Sequence, residues 1–124
     1  MEETKRQKQV ARMLEEELNE IFRKKGWNII GKGMLSISRV KVTPDLAEAK
    51  IYLSMFQIDD KDALLEKIER NGWEVRKELG ARIKNNVRKI PELTFFDDDT
   101  LEYVSKIEEV LERIKKKDGK SDND

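Results

Sequence analysis

A change of period along the chain constrains its fold more than any other feature. Val10, Met13, Leu14, Leu18, Ile21 and Phe22 recur at three- and four-residue steps, the stripe of an amphipathic helix. Further on, Ala49, Ile51, Leu53 and Met55 alternate, as a strand with one buried face must. A helix with one apolar stripe and a strand with one apolar face are satisfied by packing on each other, so the class expected is α+β.

The other elements follow from the same reasoning. The first helix is expected from about Thr4 to Lys25, ending before Gly26, which suits a left-handed cap. Leu35 and Ile37 alternate, but Val40 and Val42 fall on the opposite parity. Either a bulge near Ser38–Arg39 resets the register or the strand is partly covered on both faces. Thr43-Pro44-Asp45 is turn chemistry, so the two strands read as an antiparallel hairpin. Asp59 to Glu69 reads as a helix with Leu64, Leu65 and Ile68 inward. Asn71-Gly72 then marks a kink or tight turn, and Val75, Leu79, Ile83 and Val87 resume the stripe. Gly80, inside that stripe, is expected to allow close packing against the sheet. Pro91 disfavours helix at Ile90 and opens a third strand, Glu92 to Phe96. Leu101, Val104, Ile107, Leu111 and Ile114 form a last helix. These elements make one domain over residues 1–116 with a three-stranded sheet, followed by a polar, disordered tail over 117–124.

Several function classes are excluded early. The chain has 124 residues and neither histidine nor cysteine, so it holds no Ser-His-Asp arrangement, thiol nucleophile, disulfide or thiolate metal site. There is no phosphate-binding Gly-x-x-x-x-Gly-Lys-[Ser/Thr] loop, since Gly31-Lys32-Gly33 is too short. No carboxylate pair sits among apolar neighbours that would tune its pKa. The expectation is a binding module, not an enzyme, with no cofactor and no metal. No apolar run approaches the ~20 residues that span a bilayer. The charged start lacks a signal-peptide core, so a cytoplasmic location is expected.

Asp97, Asp98 and Asp99 invite a metal or acid–base reading. Asp99-Thr100-Leu101-Glu102 has instead the form of a capping box, with Thr100 or Asp98 as the other possible cap. Three adjacent residues leaving a strand point in different directions, and the spaced acids of a calcium loop are absent. The aspartates are read as structural.

Charge is the remaining clue. The chain is formally neutral, yet Arg70, Arg76, Lys77, Arg82, Lys84, Arg88 and Lys89 face only Glu74 and Glu78 within their block. The following block, Glu92 to Glu112, is strongly acidic, with Lys106 its single cation. Segregation of this kind attracts polyanions, unless the two blocks simply pair or are solvated. On a helix from Trp73 onward, Arg76, Lys77, Lys84 and Arg88 are expected near one exposed face, joined by Lys89. Arg6, Lys8 and Arg12 of the first helix extend the patch. Such a surface either tracks phosphates or is an ordinary solvated helix face. Trp27 and Trp73 either stack bases or pack at the edge of the core.

Three motifs in order carry a family resemblance: "VKVTPDLAEAKIYLS" (Val40 to Ser54), "VRKELGARI" (Val75 to Ile83) and "PELTFFDDDTLEY" (Pro91 to Tyr103). The chain resembles bacterial ribosome-binding factor A over about residues 4 to 114. The resemblance implies a type II KH-like fold, helix-strand-strand-kinked helix-strand-helix. It also implies binding to the small (30S) ribosomal subunit and its 16S rRNA, a role in late maturation including 5′-end processing, and particular importance in the cold. The family's Ala-x-Gly kink is replaced here by Arg70-Asn71-Gly72, and Gly72 to Arg76 is one residue longer. No heptad seam is present, and a monomer is expected.

Overall fold

The structure is a computed structural model that describes residues 3–98, 107 and 109–114. Helix α1 (Lys5–Lys24) opens on a capping box: the Thr4 hydroxyl accepts from the Gln7 amide, and the Gln7 side chain accepts from the Thr4 amide. It ends before Gly26, whose φ of 75° is the left-handed cap expected there. Its stripe of Val10, Leu14, Leu18, Ile21 and Phe22 is fully buried. Buried Gln7 also donates to the Val42 carbonyl at 2.8 Å, tying the start of the helix to the sheet.

The sheet has four strands in the order β1 (Ile29–Ile30), β2 (Gly33–Val42), β3 (Glu48–Phe56), β4 (Glu92–Asp97). This is one more than the three the sequence suggests. The additional strand, β1, is a two-residue pairing with Met34 and Gly33 across the Gly31-Lys32 turn, too short to leave a periodic signal. β2 and β3 form the expected antiparallel hairpin, and the register shifts between Ile37 and Arg39. That bulge brings Leu35, Ile37, Val40 and Val42 onto the same buried face. The amide of Ile37 is taken up by the Asn19 side chain of α1 at 3.0 Å. β4 lies parallel to β3, as a crossover through helices allows.

That crossover is α2 (Lys61–Arg70) followed by α3 (Gly72–Ile83). The break lies at Asn71, whose backbone (φ −96°, ψ 8°) leaves the helical region while its side-chain amide donates to the Lys67 carbonyl at 2.8 Å. Gly72 has room for a side chain, with Phe95 3.9 Å from a would-be Cβ and no positive φ. The kink therefore belongs to Asn71, not to the freedom of the glycine. α3 stops at Ile83, short of the extension to Val87 that the stripe suggests. Asn85 and Asn86 are weak helix formers, and the amides of Asn86 and Val87 both close back on the Ile83 carbonyl. Gly80 packs against Ile90 of the following segment, 3.3 Å from a would-be Cβ, and not against the sheet.

Helices α1, α2 and α3 lie on one face of the sheet, and Val75, Leu79, Ile83, Leu64, Ile68 and Phe95 complete one continuous core with α1. Of the last expected helix, residues 109–114 are helical. The expected cap at Asp99–Glu102 and the tail over 117–124 lie outside the described residues.

Candidate nucleic-acid interface

α1 and α3 run side by side in opposite directions, as three contacts show. Lys25 meets Glu74 at 3.9 Å, Glu17 meets Arg82 at 3.1 Å, and Arg6 donates to the Asn86 carbonyl at 2.7 Å. Arg6, near the start of α1, is thereby brought beside the segment that follows α3.

The expected row of Arg76, Lys77, Lys84 and Arg88 on one face does not form. Arg76 lies seven residues before Ile83, two full turns, so its side chain starts in line with the buried stripe. It is half-buried, with Nε donating to the Pro91 carbonyl at 3.1 Å and Nη2 to the Ile90 carbonyl at 2.7 Å. Glu92 stands 3.4 Å from the same guanidinium. Arg76 is a strut between α3 and the entry to β4. Arg88 and Lys89 are exposed but lie beyond the end of the helix.

Two other groupings take its place. Along the outer face of α3, Trp73, Lys77 and the C-cap Lys84 are all exposed, spaced four and seven residues apart and therefore nearly in line. The Lys77 ammonium lies 5.2 Å from the centre of the Trp73 ring, a cation–π contact. At the far end, Arg6, Arg88 and Lys89 surround a hollow of about 250 Å³ with Asp45 at its rim. The hydrogen bond from the Thr43 hydroxyl, then the Ala47 amide, holds the Asp45 carboxyl below its ordinary range. Lys8 and Arg12 project from α1 into solvent, and Arg12 is paired with Glu16 at 3.3 Å.

The two tryptophans part company. Trp27 is half-buried, edge-on to Phe22 at 5.2 Å, as a residue at the core margin should be. Trp73 is 71% exposed. Its position is legible in the spacing: it lies about 200° round the helix from Val75, opposite the buried stripe. On the open face of the sheet, Arg39 lies 4.4 Å over Tyr52, which stacks on Phe96 at 5.4 Å, a layer whose members satisfy one another. Asp98 closes β4: its amide donates to the Leu53 carbonyl at 2.7 Å and its carboxylate accepts from Ser38 at 2.6 Å.

The family model for ribosome-binding factor A matches residues 6–111. The chain belongs to the ribosome-binding factor A family. Its similarity to the ribosome-binding factor A of Cytophaga hutchinsonii is 41% identity over 112 residues, covering 90% of this chain and 84% of that one. The fold agrees. The crystal structure of ribosome-binding factor A from Thermus thermophilus superposes with a TM-score of 0.62 at 18% identity, covering 73% of this chain and 94% of that chain. A homology model of the Thermus thermophilus ribosome-binding factor A, fitted into a cryo-electron microscopy map of its 30S complex, gives a TM-score of 0.53 at 18% identity, with 70% of this chain and 93% of that chain covered. The α+β class and the family resemblance read from three sequence motifs are both shown. Among the described residues, no helix is long and apolar enough to cross a membrane, and no group of three acids is placed to hold a metal ion.

Proposed function

We propose that the chain is a non-enzymatic assembly factor that binds the immature 30S subunit through 16S rRNA and promotes late maturation, including 5′-end processing, with its importance greatest in the cold. Membership of the ribosome-binding factor A family carries this reading, and a family member fitted into a 30S complex supports the partner. The contact surface is the outer side of α3 and the segment after it: Lys77, Lys84, Arg88 and Lys89, joined by Arg6. Lys8 and Arg12 lie to one side and contribute less. Cations gathered on a rigid frame release condensed counterions when they meet phosphates, and this term is blind to sequence. Selectivity then comes from the shape of the folded RNA. The protein acts in the cytoplasm as a monomer and makes or breaks no bond.

Co-sedimentation with 30S particles from cells grown in the cold tests this directly. The wild-type chain is expected in the 30S fraction at low salt, and K84E/R88E/K89E in the soluble fraction with an unchanged melting curve. A wild-type chain that stays free of 30S particles at low salt would falsify the assignment.

A further inference from the structure

Two hollows flank the root of Arg76, share Trp73 and Arg76 in their linings, and differ in their other charges. One, of about 470 Å³, opens between the kink and β4 and carries Glu69 and Glu92 on its rim. The other, of about 360 Å³, is formed by Trp73, Arg76, Lys77, Gly80 and Ile90, with no acid among its lining residues. The two acids of the first, one of them opposed by Arg76, disfavour a phosphate there, and no acid opposes one in the second.

Trp73, at 71%, is the most exposed large apolar side chain among the described residues. The core has no place for Trp73, since Val75, Leu79 and Ile83 already fill the inner side of α3. The two acids of α3 are turned elsewhere, Glu74 toward Lys25 and Glu78 toward Arg82. Gly80 contributes no side chain, so Ile90 lies against the helix and gives the hollow an apolar floor. From Trp73, Lys77 stands about 6 Å farther along the helix axis and Lys84 about 10 Å beyond that. An aromatic platform followed by cations in one line fits a strand of unpaired nucleotides: a flat base on the ring, and its neighbouring phosphates on the ammonium groups. A duplex fits less well, because its bases are already stacked on each other.

We propose that Trp73 is a stacking platform for one unpaired base of the bound RNA, with Lys77 and Lys84 holding the adjacent phosphates. This rests on the RNA-binding reading above and adds that the bound RNA contains a single-stranded segment. Lys77 lies over the ring in the isolated chain, and its flexible stem lets it pivot to a phosphate when a base arrives.

The test compares wild type, W73A and W73F as full-length chains. The ligands are a single-stranded RNA of about twelve nucleotides, a duplex of equal length, protein-free 16S rRNA and 30S subunits. W73A is expected to bind the single strand and the rRNA about 10-fold more weakly, the size of one lost base–aromatic stack. W73F is expected to recover most of that loss, and neither change should alter duplex binding or the melting curve. Unchanged single-strand affinity in W73A overturns the platform. So does a loss confined to 30S subunits with protein-free rRNA unaffected, since that assigns Trp73 to a ribosomal protein. If W73A is silent while K84E/R88E/K89E still releases the chain from subunits, the stacking idea fails alone. If wild type binds neither rRNA nor subunits, both fail.

Discussion

Arg76 donates through Nε to the Pro91 carbonyl and through Nη2 to the Ile90 carbonyl, at 3.1 and 2.7 Å. Two carbonyls at the entry to β4 are thus held from α3 by one half-buried guanidinium. Its ion pair with Glu92 adds little, because that carboxylate is mostly exposed. R76A is expected to destabilise the fold by about 1–2 kcal/mol, the scale of charged hydrogen bonds discounted for partial exposure. R76K, a single point charge without the fork, should restore only part of this. Urea denaturation of the three proteins decides it; equal midpoints would show that the strut contributes nothing.

A second cross-element contact secures the hairpin. The Leu35 amide donates to the Asn28 carbonyl on the β1 side of β2. The Ile37 amide two residues on faces the same side, past the end of the short β1, and Asn19 of α1 accepts it at 3.0 Å. N19A leaves that amide without a partner beneath the helix, at a cost of about 1–3 kcal/mol. N19D keeps an acceptor oxygen and should lie closer to wild type. Hydrogen exchange at the Ile37 amide, faster in N19A and slow in N19D, is the readout. Slow exchange in N19A would mean that another group protects the amide.

At the start of β2, a Cβ on Gly33 would stand 2.5 Å from the Gln57 carbonyl oxygen and 2.7 Å from that of Phe56. Both are backbone atoms and neither can swing aside. G33A is therefore expected to displace the end of β3 and cost about 1–3 kcal/mol, the range of overpacking. G72A, where the nearest atom is 3.9 Å away, should be tolerated. Melting temperatures of the pair check the contrast; a G33A protein as stable as G72A would contradict it.

These contacts mark the boundary of what the sequence makes legible. Local patterns are legible: the α1 stripe, the cap at Gly26 and the strand opened by Pro91 each depend on neighbours a few residues away. For β2 the sequence leaves two readings open, of which the structure shows the bulge near Ser38–Arg39. The two-residue β1 and the parallel pairing of β4 with β3 depend on partners distant in the chain, and they leave no periodic trace. The interface divides in the same way. Trp73, Lys77 and Lys84 lie on one line because helical geometry requires it. The meeting of Arg6 with Arg88 and Lys89 follows from α1 running against α3, which no spacing encodes. An outward Arg76 follows only if its charge is weighed above its azimuth. Two turns separate it from Ile83, and that puts it at the core margin.

Asp45 gives the turn between β2 and β3 an acid-sensitive element. Its Oδ1 accepts from the Thr43 hydroxyl at 2.7 Å and from the Ala47 amide at 3.1 Å, which lowers its pKa from the ordinary 3.8. A carboxyl depressed in the folded state stabilises the fold above its unfolded pKa, and the benefit is lost as pH falls through the folded value. Wild type should therefore be more stable than D45N at neutral pH, with the gap closing below pH 3.8. Urea midpoints at neutral pH and at about pH 2 measure the change. A gap that persists at the acidic end would assign the stabilisation to shape instead of charge.

The salt dependence of binding separates the cations that meet phosphates from those that brace the fold. Each phosphate contact contributes about 0.7–0.9 to the slope of log affinity against log salt, so Arg6, Lys77, Lys84, Arg88 and Lys89 together predict a slope of about −3 to −5. Reversing Lys84, Arg88 and Lys89 removes three of these contacts and should flatten the slope by about 2–3. R76A acts differently, because its guanidinium is committed to the Ile90 and Pro91 carbonyls. It should lower stability while leaving the slope near that of wild type. Titrations of 16S rRNA at several salt concentrations give both numbers. A slope flattened as much by R76A as by the triple reversal would mean that Arg76 leaves its carbonyls to bind RNA, and the division of labour between strut and surface would be wrong.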